Sequence, residues 1–517
     1  MIILNIDFKY FLLDDYFTKR EVSMKKEWLV KTLALGIIFL FIGINIIPQV
    51  GSLSFEKYGL TNNELIKICN KNSTVHNNDI EYWALLIGVD NATSSDLSAE
   101  AMYESLLSSQ NWKEDNIKLI TVKYATKTNI INGFQWLDDN ENEDDIVVIY
   151  IATHGGQFKL FGIPIDFPPI DEADHCDEYL VTYDSFKHPF LAGIRDDELN
   201  FLINKLESCE ICIIIDSCFS GGFDDISSKT YFKSKVPISR YNTKEYSSNS
   251  FIEDFTEEIK NDGRVILMAT QEDEYGYAEP NKGHCFTNVL IKSIGGGLGD
   301  FNNDGFISAE EAFNFSQFRL GLNDYEIQHP KMYDGYSGDL NLIVSKYDLV
   351  FFDDCESSDV EWTTIDHTGG IGGNLWHVSD LDCGSPIHCW CLGNESTMRY
   401  NNDMNNSLVS SSIKLGEKPL LIFISNIEKE EGTLDYLMLD ISIDNWSSYK
   451  TKKVISWDFW DPKEISLCSD QYWNFSGKII QMRFRVVSDE SIPFNPRTGI
   501  GYFMIDDIQV YSEGMVG

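Results

Sequence analysis

The sequence predicts an α/β fold, a mainly parallel sheet flanked by helices, followed by an all-β sandwich. Three observations carry this expectation. Between Glu81 and about Val344, short apolar runs alternate with amphipathic stretches, the pattern of repeated strand–helix units. The runs are apolar throughout rather than alternating, as strands covered on both faces must be. From Val350 helical periodicity disappears, and Trp, Gly, Ser and Asn with short alternating runs take over for about 160 residues.

Taken in order, residues 1–23 read as a start-site artefact, because Met24 stands directly before Lys25, Lys26 and Lys31. The apolar run Leu33–Ile47 follows, then Pro48 and Val50-Gly51-Ser52. A basic start, a short apolar core and small exit residues make 24–52 a secretory signal peptide, with an uncleaved membrane anchor as the alternative. The expected location is therefore extracellular or at the cell surface. Residues 53–80 read as a linker. Strands are predicted at Tyr82–Val89, Ile117–Val122, Ile146–Ala152, Ile211–Asp216 and Val265–Ala269. Helices fit between them at Ser98–Ser109, Thr128–Leu137 (capped by Thr126), Asp196–Leu206 and Phe286–Ile294. Residues Asp224–Asp262 lack periodicity and read as a long exposed loop. This α/β region spans 81–344, and the β-sandwich spans 351–512, with strands at Leu420–Ser425 and Ile479–Val487.

Composition narrows the partners. The 517 residues carry a formal charge of −40, which excludes unspecific nucleic-acid binding, since phosphate needs a basic face. At 43% hydrophobic and 13% aromatic the chain is too apolar for a disordered acidic tail. The charge invites counter-ions, Ca²⁺ first. Eleven cysteines is an odd number. Export lets ten pair and leaves one thiol, which is expected to be Cys218, with Cys383, Cys389, Cys391 and Cys468 among the disulfide partners.

Two predicted strands end in reactive side chains. IVVIYIA runs into Thr153-His154-Gly155-Gly156, and ICIIID into Ser217-Cys218 with Gly221-Gly222 beyond. In a parallel sheet both ends lie at one edge, where ligands gather. A thiol needs a nearby imidazole to become a nucleophile at neutral pH, and glycine turns let backbone N–H groups approach an oxyanion. A lone Cys or His is more often buried structure; the pairing at strand ends favours catalysis.

The order strand–His-Gly, then strand–Asp-x-Cys-x-Ser-Gly, resembles the caspase-like cysteine peptidases, most closely the metacaspases. ALLIGV, Asp177-Glu178-Tyr179, Asp184, Ile194-Arg195-Asp196-Asp197-Glu198-Leu199, Ala269-Thr270-Gln271 and Gly283-His284-Cys285-Phe286-Thr287 extend the resemblance over Tyr82–Phe318. It implies Cys218 as nucleophile, His154 as general base and acid, and the N–H groups of Gly155 and Cys218 as the oxyanion hole. It further implies Asp216, with Glu100 a weaker candidate, as a pocket acid for Arg or Lys, and Asp196, Asp197 and Asp225 as ligands of a Ca²⁺ switch. A helix start is the plain alternative for Asp196-Asp197. Phe219 stands where metacaspases carry His, which keeps a legumain-like, Asn-specific peptidase open. The caspase signature Gln-Ala-Cys-x-Gly is absent, so cleavage after Asp is not implied. If basic residues are preferred, Lys229, Lys233, Lys235, Arg240 and Lys244 make the 224–262 loop a self-cleavage site.

Residues Asp300–Glu311 fit a twelve-residue EF-hand loop. Asp300, Asn302 and Asp304 fill positions 1, 3 and 5, Gly305 the turn, Phe306 the carbonyl position, Ser308 position 9 and Glu311 the bidentate end. A helix follows from Ala309 to about Phe318. In the C-terminal region, Phe351–Glu356, Glu361-Trp362-Thr363, Leu375-Trp376-His377 and Ile505–Val510 resemble MAM-like or jelly-roll modules, which implies a carbohydrate or cell-surface ligand. The expectation is a secreted or surface-attached, calcium-assisted cysteine endopeptidase acting on protein or peptide substrates after Arg or Lys. A non-catalytic calcium-binding adhesion protein is the alternative from another class.

Overall fold

A computed structural model describes residues 80–90, 92–160, 163–164, 177–185, 193–218, 259–270, 276–279, 281–321, 328–356, 362–370, 373–381, 383, 387–429, 434–455, 461–491 and 493–514. The chain divides into two compact units, 1–61 and 62–517, and the first lies outside the described residues. The signal or anchor at 24–52, Asp225 and nearly all of the 224–262 loop also lie outside them. Among the described residues no helix is long and apolar enough to cross a membrane.

The α/β region opens with β1 (Tyr82–Gly88), α1 (Ser95–Leu107), β2 (Ile117–Thr121), α2 (Lys127–Asp138) and β3 (Ile146–Gln157). It continues through β4 (Glu178–Leu180), β5 (Ile194–Arg195), α3 (Asp196–Asn204), β6 (Glu210–Cys218), β7 (Arg264–Met268) and α4 (Cys285–Ile294). Then come β8 (Phe306–Ser308), α5 (Ala309–Gly321), β9 (Lys331–Asp334) and β10 (Asn341–Val344). The main sheet has the order β9-β7-β6-β3-β1-β2, parallel except for β9. Thr126 caps α2 as expected, accepting a hydrogen bond from the Asn129 N–H.

Side-chain alternation sorts the sheet into two cores. Ala84, Leu86, Val148, Tyr150, Cys212 and Ile214 face the side covered by α1, α4 and α5. Leu85, Ile87, Val147, Ile149, Ile211 and Ile213 face α2 and α3. Each fully buried aliphatic side chain contributes about 1.5–3 kcal/mol, so a one-residue slip in register would exchange the two faces and forfeit their packing.

The C-terminal region is a β-sandwich. One sheet holds β11 (Asp348–Asp353), β13 (Trp376–Ser379), β14 (Cys389–Leu392), β16 (Glu417–Glu428), β19 (Asp461–Ser466) and β21 (Tyr502–Glu513). The other runs β12-β15-β20-β17-β18, from Trp362–Asp366, Asn405–Ser410, Ile479–Val487, Tyr436–Ser442 and Lys450–Val454. Their inner faces share a core with Leu408, Leu421, Phe423, Leu439, Phe484, Phe503 and Val510. The sandwich is not a separate bead. Ile422 and Tyr511 bury in the same cluster as Leu290 and Phe315 of the α/β region. Asn303 pairs with β11 through both sides of its amide, donating to the Leu349 carbonyl at 3.3 Å and accepting the Leu349 N–H at 2.9 Å.

The cysteine expectation is corrected. Cys383, Cys389, Cys391 and Cys468 are free thiols, as are Cys212, Cys285 and Cys355, while Cys209 is disulfide-bonded. Most of the free ones are buried and serve as small apolar side chains, Cys212 and Cys285 beneath the main sheet and Cys389 and Cys391 in the sandwich. Cys218 is therefore not singled out by being left over.

Gly88 ends β1 where α1 crosses it. A Cβ there would meet the Ser95 carbonyl and stand 2.8 Å from the Asp96 Cα, both backbone atoms that cannot rotate aside. Gly88→Ala is expected to cost about 1–3 kcal/mol of stability, read as a lower urea midpoint.

Candidate active site

Backbone register builds the site. β3 and β6 pair residue for residue from Ile146↔Glu210 to His154↔Cys218, and β1 pairs with β3 up to Gly88↔Ala152. The Val89 N–H then donates to the Ala152 carbonyl at 3.1 Å, so the next residue, Asp90, comes level with His154. Asp90, His154 and Cys218 thus stand side by side at the carboxyl ends of adjacent strands about 4.8 Å apart. The chain turns one way from β1 to β2 and the other way to β3, so this is the switch point where α/β sheets bind ligands.

The strand does not stop before His154. β3 continues to Gln157, with Gly155 opposite Leu180 and Gly156 opposite Tyr179, so the expected glycine turn is a strand extension held by β4. A Cβ at Gly156 would lie 2.9 Å from the Tyr179 ring, so any larger residue there would have to displace that ring. The Val181 N–H donates to the His154 carbonyl at 2.9 Å and the Phe158 N–H to the Asp177 carbonyl at 2.8 Å. Antiparallel alternation therefore turns the Gly155 N–H away from β4, the orientation an oxyanion donor needs.

Asp90 is the residue the sequence reading missed. Its Oδ2 lies 3.2 Å from His154 Nε2, and its Oδ1 accepts the N–H groups of Ala92 (2.8 Å) and Thr93 (2.9 Å). Burial pushes its carboxyl up, but the hydrogen bond and charge of His154 with the Thr93 amide and hydroxyl outweigh burial and bring it down to about 2. An ionised Asp90 fixes the His154 tautomer: Nε2–H donates to it, and Nδ1 is left to exchange a proton. The signal was present in the sequence, since Asp90 follows the apolar run of β1 as His154 and Cys218 follow theirs.

The two pocket candidates part company. Asp216 is 1% exposed, and both its oxygens are engaged: Oδ1 lies 3.1 Å from His284 Nδ1, and Oδ2 accepts the Thr287 N–H at 3.1 Å and the Thr287 hydroxyl. Glu100 is exposed on α1. The residues of that helix turned toward His284 are Ser95 and Ser98, whose spacing from Glu100 is wrong for a shared face. Glu100 therefore lies on a different face of α1 from Ser95 and Ser98.

The Asp196–Asp197 pair stands at the start of α3. Asp196 is buried and accepts the N–H groups of Glu178 and Asp197, while Arg195 Nη1 bridges Asp177 (3.0 Å) and Asp197 (3.3 Å). Arg195 thus places a positive charge between Asp177 and Asp197. In the 300–311 loop, Gly305 has φ +90°, as a sharp turn requires, and Asp300 accepts from the Asp304 and Gly305 N–H groups. Glu311 reaches back over the loop to the N–H groups of Phe301, Asn302 and Ser308. Burial pushes the Asp300 and Glu311 carboxyls up, with the charges of Asp304 and Asp300 adding to it respectively. Among the described residues no three His, Cys, Asp or Glu side chains are drawn together as a metal centre.

Asp90→Asn tests the carboxylate. Because the folded carboxyl sits below its ordinary value of 3.8, its stabilisation is complete above pH about 4 and fades as pH falls through about 2. The variant is expected to lose on the order of 2 kcal/mol at pH about 5 in urea unfolding, with the gap closing toward pH 2.

Known proteins are similar to parts of this chain. The caspase domain family matches residues 81–334. Metacaspase-1 of Candida albicans is 29% identical over 156 residues, covering 28% of this chain and 34% of that protein. Metacaspase-1 of Schizosaccharomyces pombe is 27% identical over 158 residues, covering 28% and 35%. The chain thus spans about a third of the length of these relatives. A solved protein structure from Geobacter sulfurreducens aligns with 18% identity and a TM-score of 0.34, over 51% of this chain and 99% of that one. Residues 81–334 are a caspase-like domain, similar in sequence to the metacaspases and joined to a β-rich C-terminal region.

Proposed function

We propose that this chain is a cysteine endopeptidase that hydrolyses peptide bonds in protein substrates, with Cys218 as nucleophile and His154 as general base and acid. The observation that carries this reading is the level placement of Asp90, His154 and Cys218 across three adjacent strand ends. His154 Nδ1 takes the thiol proton, and the thiolate attacks the substrate carbonyl carbon. Negative charge moves to the carbonyl oxygen, which the N–H groups of Gly155 and Cys218 receive. The imidazolium, held by Asp90, returns its proton to the leaving amine as the C–N bond breaks, leaving a thioester. Water then attacks the thioester with His154 again as base, releasing the acid and restoring the thiol.

Preference for Arg or Lys rests on Asp216, and a basic side chain would have to compete with His284 for Oδ1. Ca²⁺ assistance rests on the 300–311 loop alone. Asp300, Asn302, Asp304, the Phe306 carbonyl and Glu311 would hold the ion, with Ser308 at the position often bridged by water. The fit is supported by the turn at Gly305 and by the pairwise repulsion of Asp304 on Asp300 and of Asp300 on Glu311, which a divalent cation relieves. When bound, the ion neutralises that charge; Asn303 of the loop holds β11, so ordering it stiffens the junction with the sandwich. Export through 24–52 and a carbohydrate or cell-surface ligand for the sandwich complete the proposal.

A fluorogenic panel with Arg, Lys, Asn or Asp before the scissile bond tests the chemistry. Cleavage of the Arg and Lys substrates that falls by 10³-fold or so in Cys218→Ala is expected. Cleavage after Asn alone would establish the legumain-like reading, and no difference between wild type and Cys218→Ala on any substrate would leave the adhesion protein. Separately, Ca²⁺ at about 100 times its dissociation constant should stabilise the chain by about 2.7 kcal/mol, raising Tm. Glu311→Gln should abolish most of that rise.

A further inference from the structure

Asp216 and His154 are joined by an unbroken line of buried polar groups on the α1/α4 side of the sheet. From His154 the line passes to Asp90 at 3.2 Å, then to Thr93 Oγ1 at 3.2 Å, and from Thr93 Oγ1 to Ser95 Oγ at 2.8 Å. Ser95 Oγ lies 3.3 Å from His284 Nε2, and His284 Nδ1 lies 3.1 Å from Asp216 Oδ1. Beyond Asp216, Thr287 passes the line to the hydroxyl of Tyr150 at 2.6 Å. Asp90, Thr93, Ser95, His284, Asp216 and Thr287 are each less than a tenth exposed, so water does not compete along it. Polar groups this deep persist only when each is satisfied, which makes their protons countable.

The count is decisive. Asp90 is ionised and only accepts, so the Thr93 hydroxyl donates to it. Thr93 Oγ1 must then accept from Ser95, which spends the second hydroxyl proton. The third contact, Ser95 with His284, has no hydroxyl proton left and requires N–H on His284 Nε2. On the other side of the ring, Asp216 Oδ2 already receives two donors from Thr287. A contact of 3.1 Å between Nδ1 and Oδ1 needs a proton between them as well.

We infer that His284 is a positioning residue, carrying one proton on Nε2 and sharing a second with Asp216, so that the pair is electrically neutral and orients the Ser95–Thr93–Asp90 line that holds His154. This rests on the peptidase reading for its consequence but not for its observation. It assigns work to the helix that begins at Cys285: the residue before it closes a circuit between β6, which carries Cys218, and the segment after β1, which carries Asp90. It also means that Asp216 does not present an uncompensated charge to substrate. A basic substrate side chain that takes Oδ1 would displace the His284 proton and disturb the line toward His154.

The test uses the full chain labelled with ¹⁵N-histidine, its ring resonances assigned with His154→Gln and His284→Gln. At pH about 7 His284 is expected to show protonated Nε2 and a second proton on Nδ1 or shared with Asp216. Thr93→Val should move the His154 ring resonances, and Thr93→Ser, which keeps the hydroxyl, should restore them. In parallel, iodoacetamide labelling of Cys218 is followed by peptide mass analysis. His284→Gln and Thr93→Val should each slow it about tenfold, a fraction of the roughly 10²-fold or more that a positioned base supplies. An unprotonated Nε2 on His284 would overturn the inference. So would labelling and His154 resonances identical to wild type in both variants. If instead His154→Gln leaves Cys218 labelling unchanged, the peptidase reading itself fails, while the His284 resonances still decide the proton count.

Discussion

Everything at the site depends on the in-register parallel pairing of β3 with its two neighbours. A hydrogen-bonded ladder fixes height along the strands to within one residue, and it brings Asp90, His154 and Cys218 level although they come from segments 64 residues apart. Packing fixes the remaining freedom. The faces of Val148 and Tyr150 on one side and Val147 and Ile149 on the other are so differently covered that the register cannot slip without exchanging them. The β3 strand then overshoots the sheet, and β4 catches its free edge, so that His154 sits mid-strand between two ladders instead of at a fraying end.

The same alternation that sorts the core sorts the polar groups. Tyr150 and Asp216 occupy the face covered by α1 and α4, and those helices answer with Ser95, Ser98, His284 and Thr287. Near its carboxyl edge the core therefore turns from hydrocarbon into a hydrogen-bonded network without exposing a seam to water. An unpaired group in such a place costs about 1–3 kcal/mol, and a network with several members is correspondingly intolerant of single deletions. The acidic surface has no comparable constraint.

Strands of unbroken apolar character were legible in the sequence, because burial on both faces leaves no other composition. His154 and Cys218 were legible because each follows such an apolar run. Asp90 ends one too, but a carboxylate after Val89 resembles an ordinary turn residue until the pairing with β3 sets it beside an imidazole. Contacts across large sequence separation were the part that could not be read. Nothing local to Asp196 or Asp197 announces that Arg195 will bridge to Asp177, and nothing local to Asp216 announces His284, 68 residues on. The cysteines illustrate the same limit: counting them suggested bridges, whereas burial decides that Cys212 and Cys285 are packing atoms beneath the sheet. The turn at Gly305 was readable because the whole pattern from Asp300 to Glu311 lies within twelve consecutive residues.

Ile422 and Tyr511 reach out of the sandwich and finish the hydrophobic cluster that α4 and α5 begin. The boundary between the two architectures is thus a boundary of topology and not of stability. Cutting the chain near residue 345 would strip cover from Leu290 and Phe315 and leave an apolar scar on each fragment. The two halves share one unfolding transition's worth of core at that seam, so natural rearrangement of this gene would have to move them together, and a sandwich grafted from elsewhere would need to bring its own counterparts of Ile422 and Tyr511.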